Sequence, residues 1–482
     1  EYYAQFDDQI ESKLTREQAE KRIAELNADP AIAAGWLAQV ARIEAVAAYY
    51  KTAPEFTRQG RGDPATHKLF TERGYQVLES NGRLAFVIPS GIYTDLGTKE
   101  LREMLLNEGR IEYLYNFSNE RFFFPGVHHS FKFTLLGAQK SVSSDGFWAT
   151  FRFNPRVAVA TSDLLAFLSN SSNLIYISRE SLTRFSPDSL SLMEFQEQKD
   201  ADIATKIYEN APLIGEDVTN SWNLRLNREF DMTNDRTLFN QNANGYPLYE
   251  GKMIHQFNSY YAEPQFWVDK QKAEKYFRRK KSDTAPLDYG LTRLGFREIA
   301  RPTDSRSLIA TILPPGTCCN HKISVAAPHL STYNQREMLF AVSVLNSLCL
   351  DFIVRFKIVT GVSMFHFYQL PMPRLTVGNP YFDAIVPRAA RLTCTTPAFA
   401  DLWQTVMGAP WQENLAATAP GDRQRLRDEL DAIVAHLCGL PRDEFAHILG
   451  TFPLVFPNDA AGEQKKAALT AVYDEYAYLR QS

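Results

Sequence analysis

The chain has 482 residues, of which 45% are hydrophobic and 22% charged, and its formal net charge is −4. The composition is globular and the length suits roughly two to four domains. The slightly acidic balance excludes a global polycation, so a nucleic-acid role would rest on a local basic face.

No stretch approaches the roughly 20 apolar residues of a membrane helix, and no secretory signal opens the chain. Five cysteines in so long a chain point to a reducing, cytoplasmic compartment. Cys318 and Cys319 are adjacent and the others are scattered. No CxxC or HExxH spacing occurs, so no metal site is expected. Glu1 rather than Met stands first, which suggests a fragment or a missing upstream region.

Residues 1–55 are polar and Ala-rich and predict one or two surface helices. A loop follows at Arg58-Gln-Gly-Arg-Gly-Asp63, with Asp63 and Pro64 as N-cap and first position of a helix. Leu69, Phe70, Val77 and Leu78 predict its apolar face, and Asn81-Gly82 its end. Leu84-Ala-Phe-Val-Ile88 is wholly apolar, as in a strand buried on both faces. Leu101, Met104 and Leu105 mark the next helix, closed near Gly109, and Ile111 to Phe117 a second strand. The run Arg121-Phe-Phe-Phe-Pro-Gly-Val-His-His-Ser-Phe-Lys-Phe-Thr-Leu135 then turns into a third strand over His129–Gly137. Alternating strands and helices predict a doubly wound α/β sheet, with a closing hairpin adding antiparallel strands at its edge. His128 and His129 as strand neighbours would face opposite ways, which disfavours a joint site.

Residues 141–240 predict a connector with short strands and a helix near Asp200–Asn210. Asp269–Arg301 holds ten basic and five acidic side chains, an excess of positive charge in a chain whose total is negative. A DNA footprint or a solvated basic helix would both explain it. Met338, Val342, Leu345, Cys349, Phe352 and Phe356 predict one long amphipathic core helix. His366–Pro371 reads as a closing strand. Residues 395–482 read as helical. Leu426, Leu430, Ile433, Val434 and Leu437 share a face capped by Gly439, and a second helix carries Phe445, Ile448 and Leu449.

The stretch from Asp63 to Lys140 resembles the second half of the catalytic domain of class I DNA adenine methyltransferases, of the large bacterial restriction-modification and phage-defence type. The likeness continues through Asp231-Met-Thr-Asn-Asp235, Pro247-Leu-Tyr-Glu-Gly-Lys252, Leu345-Asn-Ser347, Leu370-Pro-Met-Pro373, Leu440 and Thr451-Phe-Pro453. Each motif is weak alone and their order carries the likeness. The resemblance implies a partial doubly wound methyltransferase sheet over 1–140 and a connector over 141–240. An α+β target-recognition domain over 241–375 and a helical C-terminal region over 376–482 would follow. It also implies methyl transfer from S-adenosylmethionine to the adenine amino group, with double-stranded DNA as partner. Other subunits of a restriction or defence complex are further candidate partners. The family's FxGxG-like cofactor loop and Asn-Pro-Pro-aromatic tetrapeptide do not occur in residues 1–482, so this chain alone is expected not to transfer methyl groups.

Base chemistry of this kind requires flipping the adenine out of the duplex. By resemblance Phe124, the residue before Pro125, stacks on the flipped base, with Phe122 and Phe123 as fallback assignments. The plainer alternative makes all three packing aromatics. In the recognition domain Lys252, His255 and Gln256 form one candidate DNA-reading loop. Arg301, Thr303 and Arg306 form a second, and Asn320, His321 and Lys322 a third. Two rival readings stand beside this one. A non-catalytic DNA-binding specificity subunit serving a partner methyltransferase is favoured by the absent cofactor loop. A nuclease lacks a convincing set of clustered carboxylates with a lysine.

Overall fold

The computed structural model describes residues 1–59, 62–153, 157–218, 221–278, 287–331 and 333–480. Gly60 and Arg61 of the first loop, and Arg279, Lys280, Lys281 and Asp283 of the basic segment, lie outside the described residues. The chain divides into two compact units, Glu1–Leu192 and Met193–Ser482.

After a 3-10 turn at Tyr3–Gln5 and a one-turn helix at Gln9–Ser12, the first unit continues with helices Arg16–Leu26 and Pro30–Thr52, the surface helices predicted. Thr15 and Gln18 form a capping box at the first, and Asp29 caps the second with Pro30 in its first turn. No residue of Pro30–Thr52 is buried, and Leu37 is 67% exposed. With 23 residues and a hydropathy of 1.3 this helix meets the length and composition of a membrane span, contrary to the expectation above. Arg42 and Glu44 near its middle oppose such a placement.

The next helix is Thr66–Gln76, preceded by Ala65, so Asp63 and Pro64 lie upstream of its cap. Its buried face also differs from the prediction: Phe70 and Val77 are exposed, whereas Lys68, Thr71, Glu72 and Tyr75 are buried. The reason is the preceding loop. Glu72 accepts the backbone N–H groups of Thr57 and Arg58 at 2.7 and 2.9 Å, so the polar face of the helix serves the loop.

Five strands follow: β1 Arg83–Pro89, β2 Arg110–Ser118, β3 Lys132–Gln139, β4 Gly146–Arg152 and β5 Ile175–Ser178. Their order in the sheet is β1-β3-β2-β4-β5. β3 runs antiparallel to both β1 and β2, β2 pairs parallel with β4, and β4 pairs antiparallel with β5. The hairpin strand is thus inserted between β1 and β2 rather than added at an edge, which corrects the doubly wound expectation to a mixed sheet. β1 is itself an edge strand. Leu84 and Ile88 point into the core while Val87 is 56% exposed, so its apolar run is buried on one face only. β4 and β5, drawn from the segment read as a connector, complete this sheet. Between β1 and β2 the helix Lys99–Glu103 continues into a π-helical turn, Met104–Glu108, that ends at Gly109.

Among the described residues the second unit holds eight short strands: β6 Leu226–Asn227, β7 Phe239–Asn240, β8 Tyr246–Tyr249, β9 Phe266–Val268, β10 Arg293–Arg297, β11 Ala310–Leu313, β12 Cys318–Cys319 and β13 Ile323–Ala326. They form two sheets, β11-β10-β13-β6 and β12-β8-β9-β7. Tyr249, Met253, Ile254, Leu313, Cys319, Ile323 and Val325 make one buried cluster here. Arg293 is fully buried in an ion pair with Glu229, and Glu229 also accepts the Cys319 N–H at 2.7 Å. All five cysteines are free and buried.

The long helix predicted from Met338 to Phe356 is two helices, Gln335–Leu345 and Leu348–Lys357, bent by 63°. The break has a chemical cause. The Asn346 side chain both donates to and accepts from the Ala310 backbone at 2.9 Å, and Ser347 caps the second helix. The predicted strand at His366–Pro371 is instead the short helix Met364–Tyr368, started by a capping box between Ser363 and His366. The helix expected near Asp200 is Gln198–Glu209. At the C-terminal end the helices are Pro380–Thr393, Ala400–Met407, Pro420–Leu437, Arg442–Gly450 and Ala460–Glu475. Gly439, with φ of +70°, follows the third as predicted.

Candidate nucleic-acid interface

In the first unit the aromatic turn is built around one asparagine. Asn119, fully buried, accepts the Phe124 N–H at 2.9 Å and donates to the carbonyls of Phe124 and Val127 at 2.9 and 2.7 Å. Its own N–H donates to the Phe131 carbonyl at 2.8 Å. The turn is therefore held as a rigid loop although it lacks strand pairing. Phe122 takes a left-handed conformation, φ +50°, which costs a non-glycine residue on the order of 1 kcal/mol.

The three phenylalanines separate by environment. Phe123 is the packed one, its ring 5.3 Å from Phe133 and 6.3 Å from Phe117. Phe124 stands perpendicular to Phe133 with centroids 5.1 Å apart and is 40% exposed. Phe122 and Phe131 are more exposed still, at 57% and 63%. His128 and His129 precede β3 and lie in the turn, so their rings sit side by side, centroids 4.2 Å apart, rather than on opposite faces. Each is engaged locally, His129 with Glu120 at 3.1 Å and His128 with Ser130 at 2.8 Å.

In the second unit the nine predicted DNA-reading residues part into three groups. His255, Gln256 and Arg306 come together in a cavity of about 490 Å³ that also takes in Asn346, Arg427, Asp428, Asp431 and Lys465. Lys252 is exposed beside it in sequence but paired, with Glu250 at 2.9 Å and Gln265 at 2.8 Å. Arg301 and Thr303 are exposed on a turn fixed by Asp304, which accepts the Arg301 N–H at 2.9 Å. Asn320 is buried: its side chain accepts the Lys322 N–H at 3.0 Å, and its backbone N–H donates to Tyr249. It shapes a loop and offers no free edge to a base. His321 accepts the Met232 N–H at 3.3 Å, and Lys322 is half-buried.

Inside the cavity two of the three predicted residues are structural. Gln256 donates to the Asn346 carbonyl at 2.8 Å, and Arg306 donates to the same oxygen and pairs with Asp351 at 2.8 Å. Burial, reinforced by Arg297, Arg427, Arg306 and Arg423, pushes the His255 imidazole down to about 4, so it is neutral at pH 7. Burial raises the Asp431 carboxyl to about 7 against the opposing pull of Arg306, and it raises Asp428 as well. Positive charge exposed to a ligand comes from Arg427 and Lys465, which motif reading missed. Arg427 donates to Gln424 at 2.6 Å and keeps further N–H groups at the cavity wall. The signal was present as Arg423-Gln-Arg-Leu-Arg427 in the first turns of Pro420–Leu437.

The basic segment is also less uniform than its count suggests. Lys270, Lys272 and Lys275 are exposed on the helix Lys270–Arg278, whereas Arg293 is spent on Glu229 inside the core.

Among the described residues no Gly-rich turn follows a strand of the first unit. The turn after β1 contains Gly91, but a side chain there would meet the Asp95 carboxylate at 2.6 Å, so that space is filled. The described residues of the first unit offer no Gly-rich cradle for a cofactor.

No curated protein matches the sequence. Solved structures that resemble it include two restriction enzymes. The type IIG restriction endonuclease BpuSI is 15% identical over 84% of this chain and 52% of its own, with a TM-score of 0.28. The type IIL restriction-modification enzyme MmeI, solved in complex with DNA, is 11% identical over 83% of this chain and 52% of its own, with a TM-score of 0.40. The chain spans about half the length of either. Residues 44–123, from the exposed N-terminal helix through β1 and β2 to Phe123, match the Eco57I restriction-modification methylase family.

Proposed function

We propose that this chain is part of a site-specific adenine DNA methyltransferase of a restriction-modification or phage-defence system, contributing DNA recognition and one edge of the catalytic sheet. The match of residues 44–123 to the Eco57I methylase family carries the reading. The family resemblance of the sequence motifs supports the adenine specificity, and the half-exposed ring of Phe124 supports a stacking role. S-adenosylmethionine would supply the methyl group from a site outside residues 1–482, and no transfer step is assigned to this chain.

In this reading the chain's own residues handle DNA. The Asn119-braced turn presents Phe124 to an extruded adenine, where stacking on an aromatic ring contributes ~1–3 kcal/mol. Arg427 and Lys465, with the exposed lysines of Lys270–Arg278, contact phosphates. Lys252, Arg301, Thr303 and His255 are the residues left to approach base edges.

A second reading is a specificity subunit without chemistry, serving a partner methyltransferase or restriction complex. The absence of the cofactor loop and tetrapeptide from the sequence favours it.

The test is methylation of duplex DNA by the native polypeptide, using donor carrying a labelled methyl group, with the product digested to nucleosides. Label on the adenine amino group, reduced at least tenfold by Phe124→Ala, is the expected result. Label on cytosine, or no binding of the chain to duplex DNA at low salt, would sink the proposal. Label appearing only when a separate catalytic chain is added would establish the specificity-subunit reading instead.

A further inference from the structure

The N-terminus of helix Gln198–Glu209 meets helix Arg442–Gly450 through three side chains remote in sequence. His447 Nε2 lies 2.8 Å from Asp200 Oδ1 and 3.7 Å from Glu197 Oε1. One donor atom from each residue falls within 4.8 Å of the other two. Asp200 is oriented by its second oxygen, which accepts the N–H groups of Gln196 and Glu197 at 3.0 and 3.1 Å, leaving Oδ1 for His447. The Asp200 side chain is 3% exposed, His447 16% and Glu197 61%, so the group is anchored on one side and open to water on the other.

Lys199 is paired with Asp443 at 3.3 Å and Lys206 with Glu444 at 2.5 Å. Among the described residues no lysine or arginine forms an ion pair with Glu197 or Asp200, whose only charged-type partner is His447. Two carboxylate side chains and an imidazole therefore converge with no competing cation, a ligand set that suits a divalent metal ion.

The distances fit a small ion with tetrahedral preference. Zinc bonds to imidazole nitrogen and carboxylate oxygen at ~2.0–2.2 Å, which puts neighbouring ligand atoms about 3.3 Å apart. The observed separations of 2.8 and 3.7 Å bracket that value. The third separation, Glu197 to Asp200, lies within 4.8 Å, and Glu197 at 61% exposure has the freedom to close on the ion. Binding requires that the Nε2 lone pair of His447 face the ion, with any proton shared with Asp200 Oδ1 given up to the other ring nitrogen or to water.

We propose that Glu197, Asp200 and His447 form a site for a divalent transition-metal ion of the zinc class, with water completing its shell. The nitrogen ligand and the small ligand count argue against magnesium and calcium, which take oxygen shells of six or more. The ion would staple the start of one helix to the middle of another, a structural role separate from the DNA-handling residues.

The experiment is isothermal titration of chelator-treated full chain with zinc chloride, beside thermal melting with and without the metal. One zinc per chain, a raised melting temperature, and at least tenfold weaker binding in Glu197→Gln are expected. Glutamine keeps a side-chain oxygen for the helix cap that Glu197 forms, so this variant should fold. His447→Gln should lose binding, and circular dichroism reports whether it folds; if it does not, Glu197→Gln decides alone. No zinc binding, or binding unchanged in Glu197→Gln, overturns the proposal. Equal stabilisation by magnesium would also overturn it.

Discussion

Gln256 and Arg306 converge on a single acceptor, the backbone carbonyl of Asn346, at the break between two core helices. The same residue's side chain closes a two-way hydrogen bond with Ala310 on β11. One asparagine therefore bends the helix pair, ties it to a sheet and orients two walls of the cavity.

Asn346→Ala removes two buried side-chain hydrogen bonds and leaves the Ala310 N–H unpaired, while the Ala310 C=O keeps only the Phe257 N–H at 3.3 Å. An unmet buried polar group costs about 1–3 kcal/mol, so a destabilisation on the order of 2 kcal/mol is expected from chemical denaturation. Unchanged stability would mean that the bend is set by Ser347 alone.

Removal of Arg293 leaves the buried Glu229 carboxylate without its cation. Arg293→Met should cost about 3–5 kcal/mol, whereas Arg293→Met combined with Glu229→Leu should recover most of the loss. Equal melting points for the single and double variants would contradict this account of the pair.

The phenylalanines of the turn should separate stability from function. Phe123→Ala removes a packed ring and is expected to lower stability by about 2–4 kcal/mol. Phe124→Ala, at a half-exposed ring, should cost less than about 1.5 kcal/mol while weakening base extrusion, read by 2-aminopurine fluorescence in a DNA duplex. If Phe124→Ala destabilises as much as Phe123→Ala, its role is packing.

Asp431 makes stability depend on pH with a defined sign. Its folded value of about 7 lies above the ordinary 3.8, so the folded chain binds the proton more tightly than the unfolded chain. That contribution is complete below about pH 4 and is lost as the pH rises through about 7. His255, held near 4 against 6.5, contributes the opposite slope between those two values, so the wild-type curve blends both. Asp431→Asn keeps an oxygen for the Leu348 N–H and removes one slope. Its melting temperature relative to wild type should therefore rise between pH 5 and pH 8, and a constant difference would refute the assignment.

Local chemistry made much of this protein legible from sequence. The Gly439 stop, the strand-helix-strand order through Phe117 and the amphipathic C-terminal helix all follow from short-range rules. Short-range rules also marked the Phe-Phe-Phe-Pro turn as special. Three kinds of feature depended on partners far along the chain. The polar face of Thr66–Gln76 is buried because a preceding loop needs Glu72. β3 entered the sheet between β1 and β2, where cross-strand pairing placed it. Asn320 and Arg306, plausible DNA readers by residue type, were spent on internal hydrogen bonds, while Arg427 and Lys465 from two distant helices reached the cavity instead. Residue type and spacing determine which elements form and which groups can do chemistry. Only the tertiary structure decided which of those groups are consumed in the interior, because buried donors and charges must find partners wherever the fold brings them.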